Sequence, residues 1–241
     1  MINPKILKTS LVCFFITISA SILIAQEMER KANFTNFNGI AVSSGIDLYL
    51  TQSNTEKVSL KGDEDVLEKI KVSKDANGIL KFEFKENGSM NNWTWGKDNG
   101  VIAYVSFKTL NNLMVSGGSD VISEGQFNLT NLIIKISGGS DLNLDMIVKD
   151  LKVAISGGSD ITLKGRADIF SLSASGGSDV NAFGLVVGDV SANISGGSDA
   201  ELYASKSISI AASGASDVNY KGKASKKSIS SKGASDVTKV K

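Results

Sequence analysis

From about residue 112 onward, apolar and polar positions alternate in short bursts separated by the same small polar segment. The segments are SGGSD at 116–120, 137–141, 156–160, 175–179 and 195–199, then SGASD at 213–217 and KGASD at 232–236. Their aspartates, Asp120, Asp141, Asp160, Asp179, Asp199, Asp217 and Asp236, are spaced by 21, 19, 19, 20, 18 and 19 residues. Five and seven residues before each of the first six lie paired positions such as Val115 and Leu113, Ile136 and Ile134, Ile155 and Val153. The residue after each is apolar: Val121, Leu142, Ile161, Val180, Ala200, Val218, Val237. Alternation on both sides of a glycine turn predicts strand, tight turn, strand with one face buried.

One such unit cannot bury its apolar face alone, whereas stacked copies can. About 19 residues at roughly 3.3 Å each describe a coil some 60 Å around, which suits a flattened or three-sided solenoid. A propeller blade needs about 40 residues and fits poorly. The predicted fold is all-β, a parallel β-helix (β-solenoid) with coils of about 19 residues.

Stacking also explains the turn motif. The first glycine (Gly117, Gly138, Gly157, Gly176, Gly196, Gly214, Gly233) is kept in every copy, which points to positive φ. The second becomes Ala215 and Ala234 in the last copies, so smallness alone is expected there. Serines and aspartates at such a corner bond backbone groups locally and between rungs. An imperfect copy, IAVSSGIDLYL at 40–50, carries Asp47 with Ser44 at the first glycine position. The 73 residues from Asp47 to Asp120 have room for about four further coils. Strand-like runs occur there at Val58–Leu60, Ile79–Phe84 and Val101–Val105, with a helical turn expected in 63–71 and a loop at 87–100.

The N-terminus changes the picture of compartment. Lys5 and Lys8 precede an uncharged apolar run, Leu11 to Ala25, and polar sequence begins at Gln26. That is the layout of a secretory signal peptide. The run is shorter than the roughly 20 residues of a membrane span. Cleavage after Ala25 is expected, with Ser19-Ala20-Ser21 as the alternative, leaving no transmembrane segment in the mature chain. The only cysteine, Cys13, and the only proline, Pro4, leave with the leader. The mature chain then has no disulfide and no histidine, and 24 basic against 25 acidic residues. Nothing in that balance calls for nucleic acid. The expected compartment is the periplasm, the outer-membrane surface or the exterior.

Together, FNGIAVSSGIDLYLTQ, VSLKGDEDVLEKIKVSKDANGILKFEFK and the SGGSD rungs resemble the putative autotransporter adhesin family with a head GIN domain. The resemblance implies a β-helix exported to the envelope or surface. It places the domain at 34–223, after a leader at 1–25, with 224–241 as a last rung and basic cap. No C-terminal membrane-barrel segment is legible, so self-transport is not expected.

Candidate chemistry is sparse. Aspartates stacked one per rung repel by about 0.9 kcal/mol per neighbouring pair even in bulk water. Calcium could bridge them; hydrogen bonds from serine hydroxyls and backbone N–H groups are the preferred offset, with no metal or other cofactor. The turn ladder, Gly117, Asp120, Gly138, Asp141, Gly157, Asp160, Gly176, Asp179, Gly196, Asp199, Gly214 and Asp217, is accordingly read as structural. Trp93 and Trp95 are the candidate stacking platform for sugar rings, packing or an oligomer interface being the alternative. Eight lysines from Lys206 onward read as an end cap that discourages stacking, or as a contact for anionic polymers. Uniformly recurring acids do not make a catalytic pair of distinct pKa values. The expected role is non-catalytic, adhesion to a glycan or other surface component; the alternatives are structural self-association as a homo-oligomer and, last, an enzyme that cleaves polysaccharide.

Overall fold

The computed structural model describes residues 28–85 and 100–241. The proposed leader, and Trp93 and Trp95 with most of the expected loop, lie outside the described residues.

The body is a parallel β-solenoid of about seven turns with coils of about 19 residues. Five long strands each make most of a coil: β9 (Val121–Ser137), β10 (Asp141–Ile155), β11 (Asp160–Ala174), β12 (Asp179–Ile194) and β13 (Asp199–Gly214). Each pairs in parallel with the next, in the register set by the motif. Asp141 stands opposite Asp160, Asp160 opposite Asp179, and Asp179 opposite Asp199. The strands β14 (Asp217–Lys221) and β15 (Lys226–Gly233) both continue onto β13, and β16 (Asp236–Lys239) rests on β14. Along β11 the alternation of buried and exposed positions breaks at 164–166 and 168–169, marking two corners besides the SGGSD turn. The coil is therefore three-sided.

Inward positions form columns, such as Leu132, Leu151, Phe170, Val190 and Ile208, all buried. Each large aliphatic side chain so placed contributes about 1.5–3 kcal/mol. Periodicity of two on each side of the triangle makes this burial, and it is legible in the sequence.

The N-terminal region departs from the expected four coils. The strands β2 (Gly39–Val42) and β3 (Asp47–Gln52) form one coil, directly against β8 (Asn112–Ser116) and β9. On its other side lie β6 (Ile79–Phe84) on β2 and β7 (Ile102–Phe107) on β3, still parallel. Outside these, β4 (Lys57–Gly62) and β5 (Ile70–Lys74) run antiparallel to β7 and β6, and β1 (Met28–Ala32) runs antiparallel to β4. A single turn of helix, α1 (Glu64–Leu67), joins β4 to β5. The 73-residue interval is thus a cap: one parallel rung and an antiparallel lid over the end of the core. Paired antiparallel strands need only a short connection, which the gap at 75–78 supplies between β5 and β6. Phe37, Phe82, Phe107 and Phe127 fill the core here, Phe107 meeting Phe127 edge-on at 5.0 Å.

Candidate functional site

The SGGSD corner is built from its backbone outward. The first glycine has φ between 69° and 88° in all seven copies, and Ser44 takes φ 69° in the eighth. A Cβ at Gly196 would lie 2.6 Å from the Gly176 carbonyl oxygen, so close approach of stacked turns forbids a side chain as firmly as φ does. The second position is not governed by size alone. Gly118 and Gly139 have positive φ, whereas from Gly158 onward the second residue does not, and from Gly177 onward its N–H reaches down to the rung below. Gly177 donates to Gly157 at 2.9 Å, Gly197 to Gly176 at 2.7 Å and Ala215 to Gly196 at 2.7 Å. Alanine enters the motif only where the turn has this second form.

The serines bond backbone groups within and between rungs, but they do not offset the aspartate charges as the preferred reading expected. Ser119, Ser140, Ser159, Ser178, Ser198 and Ser216 are wholly buried. Their hydroxyls serve the backbone, not the aspartates. The Ser140 N–H donates to Ser159 Oγ at 3.2 Å, and Ser140 Oγ donates to the Ser137 carbonyl at 3.1 Å. Ser178 repeats the pattern, its N–H donating to Ser198 Oγ and its own Oγ donating to the Ser175 carbonyl. A buried ladder of hydroxyls thus satisfies N–H groups that the tight turn would otherwise leave unpaired.

The aspartates stand outside this ladder in one column from Asp47 to Asp236, Asp47 half-buried and the others exposed. Some accept backbone N–H groups from the next rung: Asp120 donates to Asp47 Oδ1 at 3.2 Å and Asp217 to Asp199 Oδ1 at 3.0 Å. Partial desolvation, then the charges of Asp120 and Asp160, push the Asp141 carboxyl above its ordinary value. Desolvation, then Asp160 and Asp199, does the same at Asp179. No ion pair among the described residues joins Asp120 to Asp236, or any aspartate of the column between them, to a lysine or arginine. No group of three or more metal-ligating side chains is gathered among the described residues either.

Two residues beyond each aspartate lies a second outward column, which the sequence reading did not single out. It runs Tyr104, Tyr49, Ile122, Asn143, Thr162, Asn181, Glu201 and Asn219. The fixed offset from the aspartate was the available signal. At the cap end the Tyr49 and Tyr104 rings stack at 5.4 Å, and Lys61 Nζ lies 5.1 Å from the Tyr104 ring. Those contacts occupy ring faces, so this stack is a strand-to-strand brace more than a platform. The middle of the column is amide and hydroxyl, beside carboxylates. Such a surface can exchange hydrogen bonds with a polyhydroxylated partner along several rungs.

The fold recurs in solved proteins. A putative adhesin from Bacteroides fragilis superposes with a TM-score of 0.80 at 25% identity, over 89% of this chain and 97% of that one. A protein from Parabacteroides distasonis described as a putative lipid binding protein gives 0.71 at 20%, over 90% and 98%. A putative adhesin from Parabacteroides merdae gives 0.65 at 21%, over 90% and 98%. The last two likenesses show the fold alone. No curated protein matches the chain. Among the described residues no helix is long and apolar enough to cross a membrane. The family model described as "Putative auto-transporter adhesin, head GIN domain" matches residues 36–224, and the chain belongs to that family.

Proposed function

We propose that this protein is an exported, non-catalytic adhesin whose solenoid side binds a glycan strand lying along the fibre axis. Membership of an adhesin family supports an adhesin-like role at the surface or outside the cell. The observation that carries the finer reading is the paired outward columns: carboxylates Asp120, Asp141, Asp160, Asp179 and Asp199 beside Ile122, Asn143, Thr162, Asn181 and Glu201, one pair per rung. Repeated weak polar contacts in register gain affinity through multivalency rather than through one deep pocket. The uncompensated carboxylates favour a neutral or cationic glycan over an acidic one. Regular recurrence of identical acids also speaks for recognition over catalysis, which needs acids of different pKa in one cleft. Trp93 and Trp95 belong to the same proposal as an additional stacking contact.

The test is a glycan array probed with the full-length gene product, followed by the Asn143→Ala/Asn181→Ala variant. Binding to neutral or amino glycans that falls about tenfold in the variant supports this face. Binding confined to acidic glycans, or unaltered in the variant, overturns it. Loss of binding in a Trp93→Ala/Trp95→Ala variant alone would move the contact to those tryptophans.

A further inference from the structure

At the capped end of the solenoid, the edge strands β1 and β5 flank a groove of about 290 Å³. Its floor is apolar: Ile70 is fully buried, while Ala32, Phe34 and Val72 are half-exposed and packed on the main core. Its rim is cationic, made by Arg30, Lys71 and Lys85, and among the described residues no carboxylate lines it.

The rim cations are unequally satisfied. Lys71 pairs with Glu83 at 3.0 Å. Among the described residues Arg30 donates only to backbone, to the carbonyls of Leu67 and Ile70, and Lys85 donates to the carbonyl of Glu68. A carbonyl oxygen is a dipole and does not cancel a full charge. Among the described residues, Arg30 and Lys85 have no carboxylate within ion-pair distance. Partial burial pulls the Arg30 guanidinium below its ordinary pKa, as expected of a cation losing water without gaining a counter-charge.

We propose that this groove binds a single-chain anionic amphiphile, a free fatty-acid carboxylate, with its head at Arg30 and Lys85 and its tail along Ala32, Phe34 and Val72. Burying the chain removes the exposed apolar floor from water, and the carboxylate supplies the missing counter-charge. An anionic bilayer is a poorer occupant. The segment whose carbonyls hold Arg30 and Lys85 also carries Asp63, Glu64, Asp65 and Glu68, and a negatively charged membrane would meet those like charges. The groove is formed by strands other than those of the aspartate column, so the inference stands apart from glycan binding.

Laurate, kept below its micelle-forming concentration, is titrated into the full-length gene product by calorimetry. Dodecanol, which lacks the charge, and acetate, which lacks the tail, are the controls. Saturable one-site binding of laurate is expected, with dodecanol and acetate each at least about tenfold weaker. Ala32→Trp, which fills the floor, abolishes binding. Lys85→Gln weakens it about threefold and Arg30→Gln at least about tenfold, each checked by circular dichroism for native folding. Lys239→Gln, at the opposite end, leaves it unchanged. Equal affinity for laurate and dodecanol, non-saturating uptake, or unchanged binding in natively folded Ala32→Trp overturns the proposal. Binding to phosphatidylglycerol vesicles without binding to monomeric laurate overturns it as well.

Discussion

The solenoid body and its N-terminal cap solve the same problem, a shared apolar core, by different means. In the body, β9 to β13 pair in parallel with the next coil, about 19 residues away, and the corners are joined by stacked main-chain and serine hydrogen bonds. In the cap, β4 and β5 run antiparallel, and the side chains make specific pairs: Lys71–Glu83 at 3.0 Å and Lys81–Asp75 at 3.1 Å. The pair recorded within the body, Lys152–Asp150, is long at 4.0 Å and belongs to a single strand. A repeated unit has identical neighbours above and below, so like charges necessarily stack and backbone bonding carries the register. A terminus has one neighbour, and there charge pairs and reversed strands can close the core. Regularity and closure call for different chemistry.

The largest expected effect tests whether the two regions unfold as one. Phe82→Ala in the cap and Phe170→Ala in the body each remove a fully buried ring, costing about 3–5 kcal/mol. In a quasi-one-dimensional fold the first is expected to lower hydrogen-exchange protection in β5 and β6 while leaving β11 to β13 less affected. Equal loss everywhere would make the molecule a single cooperative unit.

Turn substitutions come next. Gly196→Ala places a Cβ 2.6 Å from a backbone oxygen at φ 80°, whereas at Gly197 the nearest atom is 3.8 Å away and φ is unrestricted. Urea denaturation should show a loss of about 2–4 kcal/mol for the first and under about 0.5 for the second. Ser159→Ala is expected to cost about 1–3 kcal/mol, because the buried Ser140 N–H would lose its acceptor.

Acid gives the smallest effect and the clearest contrast. Asp141 and Asp179 have raised folded-state pKa values, so the folded body binds protons more readily than the unfolded chain. Their unfavourable contribution is fully present above the raised values and is relieved as pH falls from there toward 3.8. Asp75 in the cap is lowered, first by the Ile79 N–H and then by Lys81. Its contribution is present above 3.8 and is lost as pH falls through its folded value. Mild acid should therefore tighten the body before strong acid loosens the cap, as residue-resolved hydrogen exchange against pH would show. Asp160→Asn should likewise raise the melting temperature slightly at low salt, with the gain shrinking as salt screens the column. A drop in melting temperature at every salt concentration would mean that Asp160 is held by something other than repulsive neighbours.

The body was legible because its rule is local. Alternation fixed which residues of each coil face inward, and the constant interval between aspartates fixed the register, so Asp141 to Asp199 fall in line as the spacing demands. The cap was only partly legible. The runs at Ile79–Phe84 and Val101–Val105 are strands or contribute to one, and Asp63–Lys71 contains α1, but strand direction is not encoded in an apolar alternation. Of the candidate site, the aspartate column could be read from the motif and the neighbouring Asn143–Asn181 column was signalled only by its fixed offset from it, whereas the Arg30 groove could not be read. The groove joins β1, α1 and β5 across intervals of 37 and 40 residues, the separations of the Arg30 bonds.

Sequence alone determined a stack, its period and the residues of its corners, because each coil repeats the conformational limits of glycine and the two-residue periodicity of a strand. Tertiary structure decided how the stack ends: which strands reverse, where Ser44 is held at positive φ, and which cations are left facing an apolar floor. Those outcomes depend on what one rung meets when no identical rung lies beyond it, and a repeat carries no instruction for that.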